Sequence, residues 1–307
     1  MKNIMVAGGG VLGSQIAFQT AYAGFNVVVW LRSEDSIKRT KLKLDNLKET
    51  YINAINDMAN KEKWCPGIAA CDTFNKDECL KKVEDAYNNI KLEISMQKCT
   101  ENVDLVIESL AESLDTKINF FKILSSYLPD KTIIVTNSST LLPSKMAKYT
   151  KRSAKFLSMH FANSIWKNNI VEVMAHSNTD MKIFNQIIEF AKKINMIPLP
   201  VKKEKAGYLL NSMLVPFLFS GLDLLVNGIS DVESIDKAWT LGTGAPKGPF
   251  QILDTVGLKT AYNIVDMYVK IPSFLAPYNF KAMHKLLKKY IDEGKFGISS
   301  GEGFYKY

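Results

Sequence analysis

Asn3-Ile4-Met5-Val6-Ala7-Gly8-Gly9-Gly10-Val11-Leu12-Gly13-Ser14-Gln15-Ile16-Ala17 decides the fold. An apolar run of strand character closes on Gly8-x-Gly10-x-x-Gly13, and an apolar helical pattern begins at once. This is the strand, tight turn and helix start that hold a dinucleotide pyrophosphate. Gly8 permits the turn. Gly10, lacking a Cβ, lets the backbone approach the phosphates, and Gly13 lets the helix pack close to its strand. Val11, Leu12 and Gly13 open that helix, whose N–H groups and positive dipole end suit an anion. A second apolar strand, Val27-Val28-Val29-Trp30-Leu31, follows at the distance such a unit needs.

The end of that second strand bears on which dinucleotide is bound. A fold selective for NAD carries Asp or Glu there, to bind the ribose 2′-hydroxyl. Here the chain reads Leu31-Arg32-Ser33. A carboxylate repels a 2′-phosphate, whereas a guanidinium attracts it and grips it with two charge-assisted hydrogen bonds. NADP(H) is therefore expected in preference to NAD(H), with Arg32 and Ser33 beside the phosphate. The alternative is a surface arginine, with NAD(H) bound less selectively. Glu34 and Asp35 fit better as first-turn acids of the next helix.

The 307 residues suit one large or two medium domains. Hydrophobic residues make up 47% and charged residues 23%, the balance of a globular protein. No apolar run approaches the length of a membrane span. The strand begins within three residues of Met1, which leaves no room for a signal peptide, so a cytoplasmic location is expected. The net charge of +8 fits an acidic ligand such as a nucleotide phosphate, a carboxylate or a thioester carrier. The lysines are scattered rather than interleaved with aromatics in one patch, so nucleic acid is not an expected partner. Cys65, Cys71, Cys79 and Cys99 form no C-x-x-C unit and histidines are few. No metal site is expected, and the cysteines read as free thiols in a reducing compartment.

Strand and helix patterns alternate through the first two-thirds of the chain. A long Lys-rich amphipathic stretch runs from 34 to about 60. Strand patterns recur at 90–93, 105–108, 133–136, 155–159, 171–174 and 197–201. This predicts an α/β fold, a doubly wound, mostly parallel sheet covered on both faces. The segment 61–87 is irregular, and a mobile excursion and part of a helical hairpin both fit it. Beyond the charged run Lys202-Lys203-Glu204-Lys205 the pattern is helical, at 209–226, 235–241, 251–265 and 280–290, with Pro249 at a helix start. The expected division is a dinucleotide-binding domain over 1–202 and an all-helical domain over 203–307, with the cleft between them as the default substrate site.

His160 ends a strand-like run, and Glu172 lies inside the next apolar strand, Ile170-Val171-Glu172-Val173-Met174. A carboxylate there is costly unless paired. Neighbouring strand ends that brought Glu172 to His160 would make a general acid/base pair. A core histidine with an edge-facing glutamate fits the same periodicity. Asn137-Ser138-Ser139-Thr140 follows a strand, where doubly wound sheets bind ligands, though a turn with a helix cap reads the same way. Asn211, in an otherwise apolar helical run, needs a partner, either in a cleft or in the core. His176 and His284 have ordinary surroundings.

Together these segments resemble the L-3-hydroxyacyl-CoA dehydrogenase family. The resemblance rests on 8–17, 104–109, 136–141, His160-Phe161-Ala162-Asn163, Val171-Glu172-Val173, 207–216, 241–258 and the end Gly301-Glu302-Gly303-Phe304-Tyr305-Lys306-Tyr307. Within the family, 136–144, 203–210 and 242–250 look most like the diketoreductase and short-chain 3-hydroxyacyl-CoA dehydrogenase branch. The resemblance implies a Rossmann-like domain followed by a helical domain that forms a homodimer. It implies His160 as acid/base, Glu172 as its partner, and Ser139 and Asn211 on the substrate oxygen. It places Glu112, Lys117, Ser139 and Asn163 on the nicotinamide-ribose side. Two departures stand out. The acid after the second strand is absent, and the Pro usual after His-Phe-x-Asn is Ser164, followed by Ile165-Trp166-Lys167. A bulky Trp166 is expected to reshape the pocket mouth.

The expected function is reversible hydride transfer between a nicotinamide and the C3 carbonyl or hydroxyl of a 3-oxo/3-hydroxyacyl substrate, such as 3-hydroxybutyryl-CoA. A reductase of free or esterified 3-oxo or 3,5-dioxo acids is the alternative. A non-catalytic NADP(H)-binding protein is a third reading, disfavoured by the complete Ser139, His160, Glu172 and Asn211 set.

Overall fold

Alternation along β1 (Asn3–Ala7) sends Ile4 and Val6 to one face of a sheet and Met5 and Ala7 to the other, and all four are buried. The sheet is therefore covered twice. The computed structural model describes every residue except Ser273. After β1 come α1 (Val11–Tyr22), β2 (Asn26–Trp30), α2 (Glu34–Ala59), α3 (Lys76–Asn89), β3 (Lys91–Glu93), α4 (Met96–Thr100), β4 (Leu105–Glu108) and α5 (Leu114–Leu124). Then follow β5 (Ile133–Thr136), β6 (Phe156–Phe161), β7 (Ile170–Met174), α6 (Met181–Lys193) and β8 (Ile197–Val201). Ile16, Phe18, Tyr51, Val83 and Phe190 build the core on one face, and Phe120, Phe121 and Leu124 build it on the other.

The eight strands run in the order β3-β2-β1-β4-β5-β6-β7-β8. Strands β1 to β6 are parallel; β7 runs antiparallel to β6, and β8 parallel to β7. The expected doubly wound, mostly parallel sheet is thus present. Its strand order reverses at β1, which opens a crevice at the carboxyl ends of β1 and β4. Every residue of β4, β5 and β6 is buried, as befits central strands. The edge strand β8 carries Pro198 and Pro200, which cannot donate to a further strand.

The irregular segment resolves into a helical hairpin of α2 and α3 on the α1 side of the sheet. Its connection is tied down at Gly67. The Gly67 N–H donates to the Trp166 carbonyl, and Gln19 Nε2 donates to the Gly67 carbonyl at 2.8 Å. A Cβ at Gly67 would stand 2.5 Å from the Ile165 carbonyl oxygen. Trp166 is half-buried against this core, its ring 5.8 Å from that of Tyr51. It packs the wall beneath the hairpin.

The chain divides into two compact units, Met1–Leu209 and Leu210–Tyr307. The second contains α7 (Leu210–Val226), α8 (Val232–Thr243), α9 (Pro249–Val256), α10 (Leu258–Asp266) and α11 (Phe280–Asp292) around Phe219, Leu222, Phe250, Leu253 and Leu287. Pro249 does open a helix. The single helix expected over 251–265 is two, because Gly257 breaks it with φ +94°. The buried carboxylates Asp254 and Asp236 fasten the chain end. Asp254 accepts from the Phe304 and Tyr305 N–H groups, and Asp236 from the Tyr305 hydroxyl.

Candidate active site

Three glycines shape the turn from β1 to α1, each for a different reason. Gly8 has φ +109°, and a Cβ on it would lie 2.6 Å from the Ser109 carbonyl oxygen. A Cβ on Gly13 would lie 2.2 Å from the Gly8 carbonyl oxygen, so only glycine lets α1 start this close to the strand. A Cβ on Gly10 would meet nothing within 4 Å. It faces open space, where a phosphate can approach the backbone. Gly10 is the N-cap of α1; no side chain caps the helix, and no acid occupies its first turn. Val11 and Leu12 follow as its first residues. A cavity of about 520 Å³ opens beside this turn, large enough for a nucleotide. Trp30, Met96, Phe120 and Ile123 give it apolar walls. The donor turn, the apolar walls and the absence of any lining carboxylate all fit a dinucleotide.

Arg32 lines that cavity, and so do Ser36, Arg39, Thr40 and Lys43. Ser33 is the N-cap of α2, its Oγ accepting from the Ser36 N–H. Glu34 and Asp35 are indeed first-turn acids of that helix.

At the ends of β4 and β5 two carboxylates organise the loops. Glu108, fully buried, accepts from the Leu110 N–H at 2.7 Å, Lys117 Nζ at 2.6 Å and Thr136 Oγ1 at 2.5 Å. Glu112 accepts from Ser138 Oγ at 2.6 Å and from both the N–H and Oγ1 of Thr140 at 2.8 Å. Burial works against the Glu112 carboxylate, but these bonds outweigh it and hold its pKa below the usual range. Lys117 lies between the two carboxylates, 3.6 Å from Glu112 Oε2, and is only 1% exposed. Its reach is therefore to Glu108, Glu112 and the Leu110 carbonyl.

The antiparallel step from β6 to β7 sets His160 directly opposite Glu172. His160 Nδ1 lies 2.9 Å from Glu172 Oε2, and Nε2 lies 3.1 Å from Ser139 Oγ. Both His160 and Glu172 are buried. The other Glu172 oxygen accepts the Leu209 N–H at 2.8 Å. An ionised Glu172 would accept only, which leaves the ring proton on Nδ1 and Nε2 as the acceptor facing Ser139 Oγ. Strand β6 extends past Met159 to Phe161, so His160 sits within the strand rather than after it.

Sequence reasoning missed Tyr208. Its ring stacks on the His160 ring at 4.7 Å and 20°, and its hydroxyl donates to the Ser138 carbonyl at 2.7 Å. Burial raises its pKa well above the ordinary phenol value, so it remains a donor. An aromatic in an apolar run carries no signal of this role. The structure thus joins Ser139, His160 and Glu172 in one chain of bonds, with Glu112 and Lys117 beside it through Ser138. Asn163 is exposed in the turn after β6, its carbonyl accepting from Asn168 Nδ2. Asn211 is half-buried at the start of α7, in the second unit.

A glycine turn built for a dinucleotide, on a sheet that also carries a Ser–His–Glu relay, defines a nicotinamide-dependent oxidoreductase. Comparison with known proteins narrows the class. Residues 3–205 match the 3-hydroxyacyl-CoA dehydrogenase NAD binding domain, and residues 207–307 match the C-terminal domain of the same family. Human mitochondrial hydroxyacyl-coenzyme A dehydrogenase is 32% identical, over 100% of this chain and 91% of its own. A 3-hydroxybutyryl-CoA dehydrogenase of Clostridioides difficile is 28% identical, over 99% of each chain. A solved structure of a diketoreductase, described as acting on dicarbonyl compounds, is 44% identical with a TM-score of 0.86, over 100% of this chain and 99% of that one. The chain belongs to the 3-hydroxyacyl-CoA dehydrogenase family and is an oxidoreductase acting on a CH–OH group.

Proposed function

We propose that this enzyme interconverts a 3-hydroxyacyl-CoA of short chain, such as 3-hydroxybutyryl-CoA, and its 3-oxo partner, with His160 as the acid/base. The observation that carries the reading is the Ser139–His160–Glu172 relay, in which His160 bridges Glu172 through Nδ1 and Ser139 through Nε2. When bound, the nicotinamide supplies or takes the hydride at its C4. His160 Nε2 removes the proton from the 3-hydroxyl in oxidation and returns it to the 3-oxo oxygen in reduction. Glu172 fixes the tautomer and stabilises the imidazolium. Ser139 and Asn211 hold the substrate oxygen, each such donor to a developing oxyanion contributing about 3 kcal/mol. Glu112 and Asn163 would hold the nicotinamide ribose, with Lys117 fixing Glu112 through their ion pair.

NADP(H) is the favoured cofactor over NAD(H). Leu31 stands where an acid would select NAD, and Arg32 lines the cavity. The free thiols of Cys65, Cys71, Cys79 and Cys99 support a reducing compartment such as the cytoplasm. Among the described residues no helix is long and apolar enough to cross a membrane. The helical unit exposes Met213 (67%), Leu224 (40%) and Leu241 (83%), which supports a homodimer formed through it. Light scattering at micromolar concentration reads this directly, a monomer counting against it.

One observation favours a second substrate class: the 44% identity to the diketoreductase. Reduction of acetoacetyl-CoA, acetoacetate, its ethyl ester and a 3,5-dioxo ester with NADPH separates the two. The highest kcat/KM is expected with acetoacetyl-CoA. A preference for the free or esterified acids would move the enzyme to the second class, and no turnover of any of them would overturn the proposal.

A further inference from the structure

Helix α2 presents Ser36, Arg39, Thr40 and Lys43 to the dinucleotide cavity. Their spacing of three, four and seven residues makes one continuous stripe along the helix. With Arg32 at the end of β2, the cavity carries three cations and no carboxylate. These cations differ from their neighbours. Lys41 is paired with Asp45 at 3.8 Å, and Lys48 with Glu84 at 2.8 Å. Among the described residues Arg32, Arg39 and Lys43 form no salt bridge. Arg39 is instead anchored by a neutral group: its Nη2 donates to Ser36 Oγ at 3.0 Å, and that oxygen lies 3.0 Å from Ser33 Oγ. Lys43 Nζ donates to the Arg39 carbonyl at 3.3 Å. The exposed first-turn acids Glu34 and Asp35 do not line the cavity.

Unpaired cations gathered on one wall create an anion site. The two charges of a pyrophosphate are already answered by the glycine turn and the start of α1. A second anion is needed to account for the wall.

We infer that the α2 stripe, Ser36, Arg39 and Lys43, together with Arg32, is a subsite for the 2′-phosphate of the adenosine ribose. This rests on the NADP(H) reading above and extends it. Arg32 alone would attract the phosphate; Arg39 and Lys43 make the discrimination, with the Ser36 hydroxyl as a further donor.

Calorimetric titration of the full chain with NADPH, NADH, adenosine 2′,5′-bisphosphate and 5′-AMP tests this. The proteins compared are the wild type, Arg39→Ala, Lys43→Ala and the double variant. In the double variant the two 2′-phosphorylated ligands should bind about tenfold to hundredfold more weakly, and NADH and 5′-AMP should change by less than about threefold. If the wild type prefers NADPH and the double variant keeps that preference, the α2 subsite is overturned and Arg32 is left to carry selectivity alone. Equal weakening of all four ligands overturns it as well, since the residues would then shape the cavity rather than read the phosphate. A wild type that binds NADH as tightly as NADPH defeats the cofactor reading itself.

Discussion

Tyr208 holds φ +51°, a conformation that costs a bulky residue about 1–3 kcal/mol. Its ring covers the His160 imidazole, its hydroxyl fixes the loop that carries Ser139, and the next N–H caps Glu172. One strained residue therefore braces all three members of the relay. The ring and the hydroxyl are separable. Tyr208→Phe should lose about 1 kcal/mol of stability and keep kcat/KM within about threefold. Tyr208→Leu should lower kcat/KM about tenfold or more, because the imidazole loses its flat cover. A Phe variant as impaired as the Leu variant would locate the effect in the hydroxyl instead. Glu172 was legible in the sequence because a carboxylate inside an apolar strand demands a partner. Tyr208 was not, since nothing separates a tyrosine that stacks on a histidine from one that fills a core. Lys117 shows another limit: a lysine looks solvated in sequence, yet this one is buried between two glutamates.

At the level of elements, the turn after β6 accounts for the most visible departure from the family pattern. Ser164 has φ +57°, and its N–H donates to Gln15 Oε1 at 2.9 Å. Proline can supply neither, since its φ is fixed near −65° and it has no N–H. A residue other than proline is thus required by a turn that ties β6 to α1, the helix opened by the glycine turn. Ser164→Pro should destabilise the protein by at least about 2 kcal/mol in urea unfolding, whereas Ser164→Gly should be nearly neutral. A fully stable Pro variant would mean that the turn tolerates another path. The sheet itself was legible because strands β4 and β5 each open on three apolar residues between polar flanks. The hairpin of α2 and α3 is not legible in the sequence for a physical reason: its connection is ordered by Gly67 and Trp166, residues about a hundred positions apart. The break at Gly257 was missed because its apolar flanks keep one helical period across it.

Across the whole molecule, two kinds of pattern carry the account. Glycines and apolar periodicity specify the architecture, and they are local, so the sequence displays them. The cationic wall and the relay are assembled from residues on separate elements: Arg32 with α2, and Ser139 with β6 and β7. Only the fold brings those together, although the 36-39-40-43 spacing on α2 was a readable trace. The net charge of +8 gains a local meaning, since three of its cations meet at one cavity. The central claim is that His160 Nε2 moves the proton. It is tested by single-turnover oxidation of NADPH with the best substrate of the 3-oxo series, in wild type and His160→Ala, beside NADPH titration of both proteins. The variant should lose at least about a hundredfold in rate and bind NADPH within about threefold of wild type. A variant that turns over at close to the wild-type rate would contradict the account.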